Sequence, residues 1–338
     1  MASLRKPRAL PRGGTIGIAA PASAVDLAQV VAGEKRWREA GFSVVRRDDL
    51  AARDRYLAGD DARRAAELRE LWADPRVDAI VCARGGYGCH RIIDRLDAEA
   101  ARAAAKPLVG YSDITTLLLW QHRCAGLVGV HGPMLERGDE ITDEEFGALV
   151  EVLTGTERLP LLREGTNGAG ASVEGPLVGG SLTLVAASLG TPWAVDARGA
   201  ILMLEDTGER PFRIDRMLQQ LRYAGVLDRV VGVGLGHFER CDEPARSAGG
   251  EQARGERSEP ARSAGGEQAR GERSEPDGVI NAEQILREWL DASGVPWVSG
   301  LPFGHGAPNL AWPMGVRARL DGARATLHIL ERGVAESR

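Results

Sequence analysis

This 338-residue sequence predicts an α/β protein in two parts: an open parallel sheet flanked by helices, then a mixed domain rich in short strands. Three observations predict it. Strand-length apolar runs alternate with segments of helical period through roughly the first 150 residues, as βαβ units do. A stretch rich in glycine and polar residues, Arg163 to Pro176, then breaks the alternation as an inter-domain linker would. Beyond it short apolar segments dominate, and the last two are joined through Asp321-Gly322, a hairpin signal.

The elements follow in chain order. Gly14 to Ala20 (GTIGIAA) is an apolar run stopped by Pro21, and Val25 to Ala40 continues with helical spacing up to Gly41, which predicts strand then helix. Phe42 to Val45 is a second strand, Asp60 to Trp72 a second helix opened by acidic residues, and Val77 to Ala83 a third strand. Tyr87 to Leu96 is predicted as a helix, Lys106 to Gly110 as a fourth strand and Leu117 to Trp120 as the helix after it. The first domain is therefore placed at 1–160, a linker at 161–176 and the second domain at 177–338. In the second, strands are predicted at Ala200–Leu204, Val230–Leu235, Val316–Leu320 and Ala325–Ile329. Ile214, Met217, Leu218 and Leu221 fall at i, i+3, i+4 and i+7, one apolar face of a helix that begins near Pro211.

Composition narrows the function classes. With 43% hydrophobic and 27% charged residues the chain reads as a soluble globular protein, and no apolar run reaches the 18 residues a membrane span needs. The basic start, MASLRKPRALPR, is followed by Gly13-Gly14 rather than an apolar core, so no secretory signal is expected and the cytoplasm is the expected compartment. Cys82, Cys89, Cys124 and Cys241 form no C-x-x-C pair, which favours reduced thiols over disulfides or a zinc site. A net charge of −5 argues against a nucleic-acid partner. No histidine pair has metal-ligand spacing on one helix, and neither a metal nor a cofactor is expected.

Residues 243–258 (EPARSAGGEQARGERS) recur unchanged at 259–274, followed by Glu275-Pro276. Each copy has three Glu and three Arg but no aromatic or branched aliphatic residue. Such a segment cannot bury enough apolar surface to offset an ordering cost of ~1–2 kcal/mol per residue. The insertion 243–276 is therefore expected to be a disordered surface loop rather than a solenoid, whose repeats need apolar positions to stack.

Chemistry concentrates at a few positions. A predicted strand ends in Gly110-Tyr111-Ser112 and runs into a helix, a turn that presents a serine outward with the following amides near the helix start. The same spacing suits a plain N-cap by Ser112 or Asp113, so both readings stand. Gly85-Gly86-Tyr87-Gly88 follows a strand and lets backbone approach an anion; a tight βα turn needing positive φ explains it equally well. Glu205 directly continues the run Ile201–Leu204, so it is expected to be partly buried and to need a partner, whereas Glu209 reads as a solvated charge. His305 stands between Gly304 and Gly306 in a proline-punctuated loop. His90, His122 and His328 lie on predicted regular elements, and His131 and His237 at strand ends are minor candidates. A serine, an acid and a histidine in that order are the parts of a hydrolytic triad acting between the two domains.

Taken in order, Ala83-Arg84-Gly85-Gly86-Tyr87-Gly88, Gly110-Tyr111-Ser112-Asp113-Ile114-Thr115, His131-Gly132-Pro133, Gly179-Gly180-Ser181-Leu182, Leu189-Gly190-Thr191-Pro192, Leu204-Glu205-Asp206, Arg213-Ile214-Asp215-Arg216-Met217-Leu218 and Gly304-His305-Gly306 resemble the LD-carboxypeptidases of serine peptidase family S66, the muramoyltetrapeptide carboxypeptidases. The resemblance covers nearly the whole chain outside the repeat. It implies Ser112 as nucleophile, His305 as general base, Glu205 as the acid orienting the histidine, and an oxyanion hole from the amides of Gly86 and Asp113. It also implies a Rossmann-like first domain joined to a β-rich second one, a homodimer, and a cytoplasmic muropeptide tetrapeptide as substrate, cleaved to release D-alanine in cell-wall recycling. Arg84 is a weak candidate for holding the substrate's terminal carboxylate, and a surface arginine at a strand end accounts for it as well. Trp193 and Trp312 either line the cleft or pack in the core. Two alternatives accompany this reading: a microcin-immunity-type hydrolase of peptidyl-nucleotide antibiotics, and a catalytically silent muropeptide-binding protein. Deleting residues 243–274 is expected to leave activity within a few-fold, checked by turnover of the deleted chain; collapse of activity would show that the repeat is structural.

Overall fold

Strands that are apolar on both faces bury a parallel ladder under helices on each side, and the first sheet is built from such strands. The computed structural model describes residues 4–243 and 281–336. Strands β1 (Thr15–Ala19), β2 (Ser43–Val45), β3 (Ala79–Cys82), β4 (Leu108–Gly110) and β5 (Gly129–His131) run parallel in the order β5-β4-β3-β1-β2. β3 and β4 are buried at every position. Helices α1 (Leu27–Glu39), α2 (Asp61–Ala73), α3 (Ala98–Ala104), α4 (Thr115–Trp120) and α5 (Asp143–Thr154) accompany them. α1 and α2 start where Asp26 and Asp60 accept N–H bonds from Ala28 and Arg63, which satisfies amides left bare by the first turn. The helix expected over Tyr87–Leu96 is instead two 3₁₀ turns, Cys89–Arg91 and Ile93–Arg95. The chain enters them through Gly88 at φ +143°, pressed against the buried guanidinium of Arg64, and that approach diverts it from a continuous helix.

The second half forms a sheet of its own. It contains β6 (Leu161–Glu164), β7 (Asn167–Ala169), β8 (Ser172–Ser181), α6 (Leu182–Ala187), β9 (Ile201–Thr207), α7 (Pro211–Tyr223), β10 (Gly232–Glu239), α8 (Ala282–Ser293) and β11 (Trp297–Ser299). After β12 (Trp312–Met314) the chain ends in the predicted hairpin, β13 (Arg317–Asp321) and β14 (Thr326–Ile329). The strand order is β6-β14-β13-β8-β9-β10-β11-β7, parallel from β8 to β11 and antiparallel elsewhere. α7 begins at Pro211 and buries Ile214, Leu218 and Leu221, as the periodicity predicts. The expectation of a disordered loop over 243–276 falls, from residue 244 on, outside the described residues.

Two expectations change. The segment 161–176 is not a free linker: it supplies β6, β7 and the start of β8. Its glycines are there for close approach, since a Cβ on Gly165 would stand 2.5 Å from the Ser299 carbonyl oxygen and one on Gly168 2.5 Å from that of Gly322. The division at 177 is also incomplete, because β12 returns to the first sheet and pairs antiparallel with β5.

One hydrophobic core joins the halves, with Leu117 and Leu118 of α4 in the same cluster as Leu177, Val178 and Leu182. At the join Ser181 donates its N–H to Thr115 Oγ1 at 3.2 Å. Gly180, at φ +135°, leaves room for Thr115, whose Oγ1 would lie 2.6 Å from a Cβ there. The carboxyl ends of β4 and β8 thus face one another, the place where parallel sheets carry their sites. Gly179, at φ +131°, would put a Cβ only 2.0 Å from the Met203 carbonyl oxygen, while Gly190, at φ +83°, has nothing within 4 Å. G179A is expected to lose about 3 kcal/mol or more in urea unfolding. G190A should lose only the ~1–2 kcal/mol of a left-handed backbone; equal losses would remove close approach as the cause.

Candidate active site

Ser112 stands two residues past the end of β4, after Tyr111, and is half-buried at φ +60°, a left-handed conformation rarely adopted outside glycine. The turn is possible because Gly110 has no side chain: a Cβ there would stand 2.7 Å from the Ile114 side chain that folds over it. A 3₁₀ turn, Ser112–Ile114, leads into α4, and no side chain caps either element. The N-cap reading of Ser112 and Asp113 is therefore not what the chain does. Asp113 turns its carboxylate the other way and accepts the N–H of Cys89 at 2.8 Å, tying this turn to the glycine loop.

That loop lies against the serine. A Cβ on Gly85 would be 2.9 Å from Ser112 Cβ, 3.1 Å from its Oγ and 3.4 Å from the Asp113 nitrogen. Gly86 is exposed at φ +96°, and Tyr87 N–H donates to Ser23 Oγ at 3.0 Å, holding the loop from behind. The amides of Gly86 and Asp113 meet no acceptor among the described residues.

His305 and Glu205 are brought together from separate elements. Glu205 lies on β9, paired in register with Ser181, and its side chain is fully buried. His305 sits in the loop between β11 and β12, and its Nδ1 is 2.7 Å from Glu205 Oε2. The flanking glycines answer to contacts: a Cβ on Gly304 would stand 2.7 Å from Glu205 Oε2 and one on Gly306 2.5 Å from the His237 ring. Gly304 N–H donates to Asn309 Oδ1 at 3.0 Å, and Asn309 N–H to Glu145 Oε1 at 2.7 Å, so α5 anchors the loop. The His305 ring meets the edge of Tyr111, the residue before Ser112, with centroids 4.9 Å apart. The His305 loop and the Ser112 turn are thus neighbours through Tyr111.

Burial on its own raises a carboxyl group, yet Glu205 is lowered to about 2, because the imidazoles of His131 and His305 outweigh it. His131 is the residue that sequence reasoning ranked too low. It ends β5, fully buried, with Nε2 3.8 Å from Glu205 Oε1. Its sequence signals are a polar side chain at the end of an apolar run and its place in the His131-Gly132-Pro133 motif of the resemblance, neither of which shows what the ring faces. Asp206 points away from the pair; burial, with the charge of Glu205, raises it to about 6, while Thr183 and Thr207 donate to it. Glu209 pairs with Arg213 on α7.

Other candidates fall outside the central cluster. Arg84 lies beside Gly86, but its Nη1 already donates to the Ala24 carbonyl at 2.9 Å and stands 3.1 Å from Glu136 Oε1. Trp312 is a core residue stacked on His131, and Trp193 meets the edge of His90. His237 Nε2 bonds the Pro308 carbonyl behind the His305 loop at 3.1 Å. Among the described residues no group of three or more His, Cys, Asp or Glu is placed to hold a metal, and no helix is long and apolar enough to cross a membrane.

Two family models match the chain, the LD-carboxypeptidase N-terminal domain over residues 16–132 and the LD-carboxypeptidase C-terminal domain over 174–320. The probable murein peptide carboxypeptidase of Bacillus subtilis is 35% identical over 339 residues, covering 98% of this chain and 96% of that protein. The murein tetrapeptide carboxypeptidase of Pseudomonas aeruginosa is 33% identical over 327 residues, covering 93% and 95%. The crystal structure of muramoyltetrapeptide carboxypeptidase from Oxalobacter formigenes superposes with a TM-score of 0.76 at 27% identity, over 94% of this chain and 99% of that one. The microcin C7 self-immunity protein MccF of Escherichia coli, 26% identical over 95% of this chain and 94% of that protein, shares the fold, with a TM-score of 0.80 for its apo structure. With both halves matched in order and the relatives covered almost end to end, the chain belongs to the LD-carboxypeptidase family, peptidase S66.

Proposed function

We propose that this protein is a serine carboxypeptidase that hydrolyses the L,D-peptide bond of a muropeptide tetrapeptide and releases its terminal D-alanine. The observation that carries the reading is the 2.7 Å contact of His305 Nδ1 with Glu205 Oε2, made beside Tyr111 and the strained Ser112 turn. Murein peptide and tetrapeptide carboxypeptidases among its relatives support the substrate class.

The chemistry follows from the roles. Glu205 accepts from Nδ1 and so leaves Nε2 of His305 free to take a proton. Ser112 Oγ gives up its proton to that nitrogen as it attacks the carbonyl carbon of the L-centre, forming a C–O bond and a tetrahedral oxyanion. The amides of Gly86 and Asp113 receive the anion; both N–H groups are unused among the described residues, so no bond there has to break. His305 then protonates the departing amine of D-alanine, and water, deprotonated by the same imidazole, cleaves the Ser112 ester. Arg84, with Nε near Gly86, is the proposed partner for the terminal carboxylate, in competition with Glu136. A cytoplasmic setting and a homodimer complete the reading.

Incubation with muramoyl-tetrapeptide, followed by mass spectrometry, is expected to show loss of one alanine. S112A should abolish it, and H305A and E205A should each lower the rate by about 10⁴-fold; full turnover by S112A would overturn the assignment. The Glu205 carboxyl also sets a pH signature. Its value of about 2 lies below the ordinary 4.5, so its contribution to stability is present above about 4.5 and is lost as pH falls through about 2. The stability gap between wild type and E205Q, from urea unfolding, should therefore be largest near neutrality and shrink on acidification. A gap that grew as pH fell would contradict a charged Glu205.

A further inference from the structure

Glu205 has a second oxygen, Oε1, and the polar group that stands nearest to partnering it among the described residues is His131. Among the described residues Oε1 is buried without a hydrogen bond, and so are both ring nitrogens of His131. The two groups face each other, Nε2 to Oε1, at 3.8 Å. Otherwise His131 has rings about it: Trp312 stacks at 5.0 Å, Phe303 meets it edge-on at 5.6 Å and Tyr111 lies tilted at 5.9 Å. A phenyl group would fill such a cage without bare polar atoms, each of which costs about 1–3 kcal/mol when buried. What an imidazole adds there is a donor aimed at Glu205.

The tautomer follows from the surroundings. With the proton on Nε2 the ring offers N–H to a carboxylate and leaves only the acceptor Nδ1 bare. The opposite tautomer would set a lone pair against the carboxylate and strand an N–H among aromatic rings. Moving from 3.8 Å to hydrogen-bond length takes about 1 Å, the tightening that catalytic contacts undergo when substrate engages.

We propose that His131 is a positioning residue, donating from Nε2 to Glu205 Oε1 so that the carboxylate is gripped at both oxygens and held in the plane in which it orients His305. The proposal rests on the triad reading above. His131 touches neither substrate nor Ser112; it acts through Glu205. β12, which returns to the first sheet and lays Trp312 on the imidazole in register, fixes the ring's own orientation.

The test compares variants at His131, alone and in an E205A background, by alanine release from muramoyl-tetrapeptide, with thermal melting as a check on folding. H131F keeps the ring and removes the donor; it should lower kcat about 10–100-fold with KM changed less than about two-fold. H131Q places an amide N–H near the position of Nε2 and should recover most of the loss. H131N has the same chemistry with a shorter reach and should not. In an E205A background H131F should slow the residual reaction no further, because a residue acting through Glu205 has nothing left to position. Wild-type kcat in H131F, equal rates for H131Q and H131N, or additive losses in the double variant would each overturn the proposal. If H131F does not fold, the comparison of H131Q with H131N decides alone. Undiminished turnover in S112A would sink the triad reading itself; a dead S112A beside a fully active H131F would sink only the role of His131.

Discussion

A carboxylate removed from water is a demanding object, and the site is built around one. Glu205 is fully buried, and an isolated charge in that position would cost far more than the few kcal/mol by which proteins are stable. It is held charged by two imidazoles that come from different elements, His305 from the loop after β11 and His131 from the end of β5. The first sheet and the second must therefore meet with their carboxyl ends together. The return of β12 to the first sheet serves the same end, since it carries the chain from His305 back across His131.

Around that charge the backbone is packed to the limit of what glycine allows. Gly304 and Gly306 let the histidine loop lie on Glu205 and His237, and Gly85 lets the glycine loop lie on Ser112. The strain at Ser112 is confined on three sides: Ile114 folds over Gly110, Asp113 is bonded to Cys89, and Ser181 is bonded to Thr115 at the start of α4. The chain Gly304–Asn309–Glu145 extends the support outward to α5, whose Glu145 is paired in turn with Arg137. Geometry set this tightly is the condition for preorganised donors to act on a developing anion without rearrangement.

Much of this was legible in the amino-acid sequence, for local reasons. The first four parallel strands of the N-terminal sheet announce themselves as short apolar runs, the Pro211 helix by its period, and the last hairpin by Asp-Gly. Glu205 was marked by continuing an apolar strand, His305 by glycine on both sides, and Ser112 by a strand-to-helix turn; the resemblance supplied the link among them. What escaped depends on contacts between distant segments. His131 stands in a motif of the resemblance, but that it faces Glu205 is visible only once β5, β9 and β12 are brought together. The glycines of 163–176 read as flexible because the carbonyls they approach, those of Ser299 and Gly322, lie far along the chain. Tyr87–Leu96 has helical composition, and only the buried Arg64 under Gly88 explains why it turns instead.

The central claim is that the buried, charged Glu205 activates Ser112 through His305. Its most direct measure is the rate at which a fluorophosphonate modifies the protein, followed by intact mass and peptide mapping in wild type and E205Q. The account predicts a single adduct on Ser112, formed at least about ten-fold more slowly in E205Q. An adduct on another residue, or an unchanged rate in E205Q, would contradict it.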